Sequence, residues 1–306
     1  MEQLPTTAGM QEVERSRSQS RVGILSAART PHGILSESPP SRNREAIKTI
    51  RPRGRMSEIN VTFAGGIARL RLSRPEVFNA LSPGLLNELI ENCDELSNDD
   101  STKVVVLEGS GKHFCAGADL PQFTQCMESD PQGTADLGRC AAEAIATMPQ
   151  ITLAAIQGYC IGGALVLSAA CDMRIAADNS RFSIPELDAG IPLSWGGMAH
   201  VVRLLGETMA NDLVLTCRRF DADDALRAGF ISRIISTSEF AEEVTALAES
   251  VAAKPRIVLR QTKRKLTDIR AGTFDALDDA AEMIAAMADP EAKSIGQEYI
   301  RKNIGK

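Results

Sequence analysis

The stretch ITLAAIQGYCIGGALVLSAA, residues 151–170, is the most apolar part of the chain. Gln157 interrupts it and three glycines divide it, whereas a membrane-spanning helix needs about 20 predominantly apolar residues without such breaks. The pattern therefore predicts a buried strand over 151–156, a glycine turn and a short buried helix. Another strand is predicted over 173–176. Strand, helix and strand in this order are typical of an α/β core.

The segments on both sides extend this α/β pattern. Residues 59–63 and 67–72 alternate in polarity around Gly65-Gly66, which predicts a β-hairpin. Ser82-Pro83 is a helix start signal, and KVVVLE at 103–108 is typical of a buried strand. Further helices are predicted at about 135–148, 196–217, 221–228, 239–253, 255–268, 273–288 and 290–302. The chain is therefore expected to be an α/β core with a helical C-terminal part.

Composition excludes several classes of protein. The chain has 306 residues and a net charge of −6, with 34 Lys and Arg against 40 Asp and Glu. Nucleic-acid binders need a basic surface to neutralise phosphates, so this balance argues against that function. Seven Cys without a CxxC pair predict buried thiols in a reducing, cytoplasmic protein. The three His lie far apart in the sequence, which argues against a His-based metal site.

Residues 1–55 differ from the rest, with 10 Lys and Arg against 5 Asp and Glu and no aromatic Phe, Trp or Tyr. Such a segment cannot bury enough apolar surface to offset its ordering entropy. Three interpretations stay open: a disordered tail, a transit peptide, or translated upstream sequence with the natural start at Met56. The last is favoured here, because the acidic residues count against a transit peptide.

Two familiar motifs can be rejected. GSGK at 109–112 follows a predicted strand, but Val106 and His113 stand where a phosphate-binding loop requires Gly and Ser or Thr. Cys115 has no His placed beside it by a known nucleophile pattern, so it is interpreted as a small buried residue.

Two glycine turns carry more information: FCAGADL at 114–120 and QGYCIGGA at 157–164. Each places small residues directly after a predicted strand, which lets a ligand approach the backbone. The second turn also begins a helix, whose free N–H groups favour an anion. If one N–H group from each turn met at one point, they would form an oxyanion hole. From these residues alone, two tight turns packed in a core are the favoured interpretation.

A longer set of ordered matches resembles the crotonase (enoyl-CoA hydratase/isomerase) superfamily. The matching stretches are LSRPEVFNAL (72–81), GSGKHFCAGADL (109–120), AAIQGYCIGGALVLSAACDMRIAADNSRFSIPEL (154–187), GIPLSWGG (190–197) and DADDALRAGFISRII (221–235). The resemblance implies a crotonase (ClpP-like) spiral of ββα units over 56–250. It also implies C-terminal helices over 251–306 that build homotrimers, often paired into hexamers.

The resemblance also implies the chemistry. The substrate would be an acyl-CoA thioester, with coenzyme A as part of the substrate and neither a prosthetic group nor a metal required. The N–H groups of Ala118 and Gly163 match the oxyanion-hole positions. Of three acid positions that the family uses, this chain has Val166 and Ser194 at two and Glu186 at the third.

A single Glu in this place resembles the Δ3,Δ2-enoyl-CoA isomerases, in which one carboxylate takes a proton from C2 and returns it at C4. The alternatives are a 2-enoyl-CoA hydratase with a substitute acid, and a non-catalytic acyl-CoA-binding protein. By the same likeness, coenzyme A would contact Val77 in the loop 75–79 and the Ala116 carbonyl. Lys263 would bind its 3′-phosphate, and a solvated basic helix face at 260–265 is the equal alternative. Trp195, the one Trp of the chain, is interpreted either as a core residue or as a wall of the acyl pocket.

Overall fold

The computed structural model describes residues 57–303, so the interpretations of residues 1–55 concern a segment outside the described residues. The strands are β1 Ile59–Ala64, β2 Ile67–Leu72, β3 Val104–Gly109, β4 Ile151–Ile156, β5 Tyr159–Ile161, β6 Met173–Ala177, β7 Arg181–Ser183, β8 Phe220–Asp221 and β9 Ile234–Ile235. The α-helices are α1 Pro83–Ser97, α2 Leu120–Met127, α3 Pro131–Thr147, α4 Gly163–Ala170, α5 Gly197–Thr216, α6 Ala222–Arg227, α7 Phe240–Ala252, α8 Arg256–Ala271, α9 Asp279–Ala288 and α10 Pro290–Asn303.

The larger sheet has six strands in the order β1-β2-β3-β4-β6-β9. Strands β1 and β2 form the predicted hairpin, with Ile59 opposite Leu72, and the remaining neighbours pair in parallel. Gly65 and Gly66 both have positive φ, as a two-residue hairpin turn requires. Helices cover both faces of the sheet, which explains why every residue of β4 is buried.

Helix α1 shows how local signals produce this packing. The Ser82 hydroxyl accepts a hydrogen bond from Leu85 N at 2.9 Å, and Pro83 occupies the first turn. Both features satisfy or remove N–H groups that a helix start leaves unpaired. Leu85, Leu86, Leu89, Cys93 and Leu96 then recur at helical spacing, and all are buried in the core.

The two glycine turns meet through an isolated bridge beside the smaller sheet, β5-β7-β8. Cys115 forms a parallel bridge with Cys160, and Leu81 forms one with Ala118. If Gly117 carried a Cβ, that atom would lie 2.9 Å from the Ile161 carbonyl oxygen. The turns at 114–120 and 157–164 are therefore in direct contact.

The C-terminal part differs from its prediction in one helix. The helix expected from 273 begins only at Asp279, because Gly272 ends α8 with a φ of +71° and Asp275 caps a short 3-10 turn. The sequence interpretation also missed α2. Its start signals are Asp119, whose carboxylate accepts from Gln122 N at 3.3 Å, and Pro121 in the first turn.

Five of the seven thiols are buried and none of the seven is in a disulfide, and burial raises the pKa of Cys115 to about 12. Cys115 is therefore a thiol at neutral pH and a poor nucleophile. Between residues 57 and 303, no helix combines the length and the apolar character needed to cross a membrane.

Candidate active site

Backbone hydrogen bonds on both sides of Ala118 leave its own N–H group without an acceptor. Leu81 N donates to Gly117 O at 2.8 Å, and Asp119 N donates to Leu81 O at 2.9 Å. These two bonds use the groups on either side of Ala118. The Ala118 N–H itself donates to no acceptor in the described part of the chain.

The Gly163 N–H group is free for a different reason. Gly163 is the first residue of α4, and the first N–H groups of a helix have no intrahelical acceptor. The preceding Gly162 has a φ of +55°, and its N–H donates to Ser183 O at 2.9 Å. No acceptor for the Gly163 N–H lies among residues 57–303. Both predicted oxyanion donors are therefore unpaired and sit on the two contacting turns.

Arg74 fixes the turn that carries Ala118. Its guanidinium is nearly buried, donates to Asp119 Oδ2 at 2.9 Å and to the Ala80 carbonyl, and lies 3.7 Å from Glu58. It thus joins both strands of the Leu81–Ala118 bridge. Buried ion pairs of this kind hold one geometry, because losing a partner leaves an uncompensated charge. The sequence interpretation did not single out Arg74; a charged residue beside Pro75 in the matched stretch was the available signal.

Glu186 lies against the second turn, as its position after β7 suggests. If Gly162 carried a Cβ, that atom would be 2.7 Å from Glu186 Oε1. The other oxygen, Oε2, is buried and has no hydrogen-bond partner within residues 57–303. Desolvation by burial raises the pKa of Glu186 above its ordinary value of 4.5. A buried acceptor without a partner is costly, and such groups are common where a protein binds or transforms a ligand.

Replacing Glu186 by Gln is expected to stabilise the fold at pH 7. A carboxylate whose pKa is raised in the folded state carries a desolvation penalty when ionised, and Gln carries no charge. The gain is expected to be about 2 °C in Tm, the shift that a modest stabilisation produces in a chain of this size. It should shrink as pH falls through the raised pKa, and vanish below the unfolded value, where Glu186 is protonated in both states.

Thermal unfolding at pH 7 and at pH 4 measures this effect. Asp188→Asn, which alters an exposed carboxylate two residues away, is the matched control and should leave Tm nearly unchanged. Equal Tm values for Glu186→Gln and the wild type at pH 7 would contradict the prediction.

Neither of the other two acid positions carries a carboxyl group. The Val166 side chain is 1 % exposed. A Cβ added to Gly197 would lie 2.8 Å from Val166 Cγ2. The Ser194 hydroxyl donates to Pro192 O at 3.2 Å on an exposed part of the loop. Glu186 is therefore the one acid among the three positions that the family uses.

Val77 and Ala116, two of the three predicted coenzyme A contacts, lie on neighbouring loops. Val77 ends an exposed 3-10 turn at 75–77, and Ala116 N donates to Phe78 O at 3.0 Å. Asn79, which is fully buried, ties this loop to 110–113 through bonds from its Nδ2 to Ser110 O and His113 O. The roles of Val77 and Ala116 stay predictions.

Lys263 occupies a different environment from the one predicted. Its side chain is buried, and Nζ lies 2.9 Å from Asp172 Oδ2 and donates to Gln150 O at 2.7 Å. In this structure Lys263 is therefore a core ion-pair partner that joins α8 to the sheet, not an exposed cation available to a phosphate. The basic run at 260–265 could not show this, because it does not reveal which cation faces inward.

Two unpaired backbone N–H groups on touching turns, with the Glu186 carboxylate and its buried Oε2 against the second turn, form a characteristic arrangement. It is typical of α/β enzymes that stabilise an oxyanion and move protons with a side-chain acid. Comparison with known proteins places the chain within this class.

The chain belongs to the enoyl-CoA hydratase/isomerase family, whose sequence profile matches residues 62–290. It is 30 % identical over 203 residues to a short-chain-enoyl-CoA hydratase of Clostridium acetobutylicum, covering 66 % of this chain and 78 % of that protein. It is 35 % identical over 198 residues to a probable enoyl-CoA hydratase of Mycobacterium avium, covering 65 % and 77 %.

Solved structures agree with this assignment. The enoyl-CoA hydratase of Bacillus anthracis superposes with a TM-score of 0.69 at 30 % identity, over 74 % of this chain and 88 % of that one. Pseudomonas aeruginosa DspI superposes with a TM-score of 0.75 at 27 % identity, over 81 % and 95 %. The crotonase fold predicted from the matched stretches is thereby confirmed.

Proposed function

We propose that this enzyme is an enoyl-CoA isomerase that acts on an acyl-CoA thioester through Glu186. The observation that carries the proposal is the Glu186 carboxylate against the Gly162–Gly163 turn, with its Oε2 buried and without a hydrogen-bond partner in residues 57–303, while Val166 fills the second acid position. Coenzyme A is then part of the substrate, and no prosthetic group takes part.

The reaction needs one carboxylate and no water. The thioester oxygen accepts hydrogen bonds from Ala118 N–H and Gly163 N–H. Glu186 removes a proton from C2, the electrons move onto that oxygen, and a dienolate forms. The protonated Glu186 then returns the proton at C4, so the double bond moves from C3=C4 to C2=C3. Its raised pKa suits a group that must both take and give a proton.

A 2-enoyl-CoA hydratase is the second candidate, because the similar proteins from Clostridium and Mycobacterium carry that name. Hydration requires a water held beside Glu186 by another polar group. Val166 offers none, and the Ser194 hydroxyl is engaged with its own loop. The third candidate, an inactive acyl-CoA binder, would be supported by Glu186 turned into an ion pair. Glu186 makes no ion pair with residues 57–303.

Parallel assays with 3-enoyl-CoA and 2-enoyl-CoA separate these candidates. Isomerisation raises the absorbance of the conjugated enoyl thioester from 3-enoyl-CoA. A fall with 2-enoyl-CoA, with 3-hydroxyacyl-CoA as product, would establish a hydratase instead. Tight binding without either change would favour the inactive binder.

We also propose that the enzyme is a homotrimer, or a hexamer of two trimers, assembled through the C-terminal helices. Leu277 is 85 % exposed, and Met283, Ile284 and Met287 on α9 are also largely exposed. Clustered exposed apolar side chains mark association surfaces.

A cytoplasmic location stays a prediction.

Leu277→Asp combined with Ile284→Asp is expected to convert the assembly from three 32.9 kDa chains to one, as measured by light scattering. Leu215→Asp alters an equally exposed apolar residue on α5 and should leave the mass unchanged. A wild-type chain that is monomeric at micromolar concentration would contradict the proposal.

A further inference from the structure

Trp195 sits in a strained turn at the end of the irregular segment between Glu186 and α5. Gly197 N donates to Ser194 O at 2.8 Å, and the two residues between them, Trp195 and Gly196, have φ values of +60° and +72°. This is the arrangement of a type I′ turn, which favours Gly or Asn over a bulky side chain. A large residue persists in this conformation only where its surroundings hold it, and such positions cluster at functional sites.

The indole occupies the space that side chains at two glycines would fill. A Cβ added to Gly138 on α3 would lie 1.8 Å from Trp195 Cδ2, and one added to Gly163 would lie 2.1 Å from Cζ3. The ring therefore lies in direct contact with both backbones. The centroid of the Phe123 ring, on α2, lies 5.9 Å from the centroid of the Trp195 ring. Trp195 thus packs at once against α2, α3 and the first residue of α4.

This placement puts the indole beside the predicted thioester site. An acyl chain whose carbonyl oxygen reaches the Gly163 N–H begins next to the ring. On another side, Val166 and Leu193 are buried and close against Gly197, which leaves no room there. An alkyl chain that runs from this point towards α2 would meet Trp195 and Phe123.

We propose that Trp195 closes the acyl end of the site and restricts this enzyme to short-chain acyl-CoA thioesters. The proposal rests on the acyl-CoA function proposed above. Without such a wall, each further buried methylene would tighten binding about fourfold. With the wall, longer chains cannot be buried, so affinity is expected to fall with chain length.

Saturated acyl-CoAs test this directly, because they can be neither isomerised nor hydrated. Since Trp195 is the one Trp of the chain, its fluorescence reports on binding at this place. Titration of the full chain with butanoyl-, octanoyl- and hexadecanoyl-CoA is expected to give a Kd at least tenfold lower for butanoyl-CoA than for hexadecanoyl-CoA. Coenzyme A alone should leave the emission unchanged. Affinity that rises with chain length in the wild type would overturn the proposal.

Two substitutions sharpen the test, with Kd measured by calorimetry. Trp195→Ala is expected to shift the ratio of butanoyl-CoA to octanoyl-CoA affinity by at least tenfold towards the longer chain. Gly138→Ala keeps Trp195 but adds a methyl group where the indole rests, so it should displace the ring and disturb binding in the wild type. In the Trp195→Ala background the same methyl group has no ring to displace, and its effect should fall below twofold. Equal effects of Gly138→Ala in both backgrounds would overturn the proposal.

The two proposals fail in different ways. Acyl-CoA binding without a chain-length order would overturn the role of Trp195 and leave the isomerase intact. A clear order without turnover of 3-enoyl-CoA would overturn the isomerase and leave Trp195 as the acyl-end wall. Absence of any acyl-CoA binding would overturn both.

Discussion

Glu186→Gln is expected to lower kcat for 3-enoyl-CoA isomerisation by about 10²–10⁴-fold, the usual contribution of a positioned acid or base. The upper end is expected, because Glu186 is proposed to perform both proton transfers. Gln has nearly the same shape, so substrate binding should survive. The variant should therefore lose kcat with little change in KM.

The pH dependence of the wild type supplies an independent check. The free enzyme needs Glu186 as a carboxylate, and burial raises its pKa above 4.5. Consequently kcat/KM should fall on the acid side with an apparent pKa above that value. Asp188→Asn is the matched control and should keep the wild-type profile. Turnover by Glu186→Gln within tenfold of the wild type would assign the proton transfers to another group.

Loss of the Gly163 N–H group is expected to lower kcat by about 10²–10³-fold, the usual cost of one oxyanion-hole donor. Proline is the substitution that removes it. Proline is tolerated at the first position of a helix, where its missing N–H has no partner anyway, and Gly163 is the first residue of α4. Its ring would, however, collide with Trp195.

The matched design therefore uses Trp195→Ala as background for both Gly163→Pro and Gly163→Ala. Alanine adds a Cβ but keeps the N–H, whereas proline adds a Cβ and removes it. The ratio of kcat between these two variants isolates the donor, and thermal unfolding checks that both are folded. Equal turnover by the two would show that the Gly163 N–H does not stabilise the oxyanion.

The sequence was a good guide where the signal is local. The hairpin at 59–72, helix α1 and the order β4-α4-β6 are all confirmed, because alternation, capping residues and glycine turns act over a few neighbours. Strands β5, β8 and β9 were missed, because such short segments are strands only through their partners in the sheet. The start of α9 was misplaced, since Gly272 and Asp275 interrupt the apolar pattern.

The site residues also fall into those that the sequence indicates and those that only the structure reveals. Ala118, Gly163 and Glu186 follow from ordered matches to a family, and two of them lie in turns whose small residues are visible in the sequence. Arg74 needed the structure, because its partners come from separate segments. So did the inward direction of Lys263, since a basic helix face looks the same whichever residue is buried.

Trp195 shows the limit most clearly. A lone Trp after a Pro-rich loop fits a core residue and a pocket wall equally well, and neither glycine that receives its ring is near it in sequence. Backbone conformation and short-range periodicity are written into neighbouring residues, so they could be deduced one segment at a time. The contact of the indole with Gly138 and Gly163 depends on how three helices pack, and that packing exists only once the whole chain has folded.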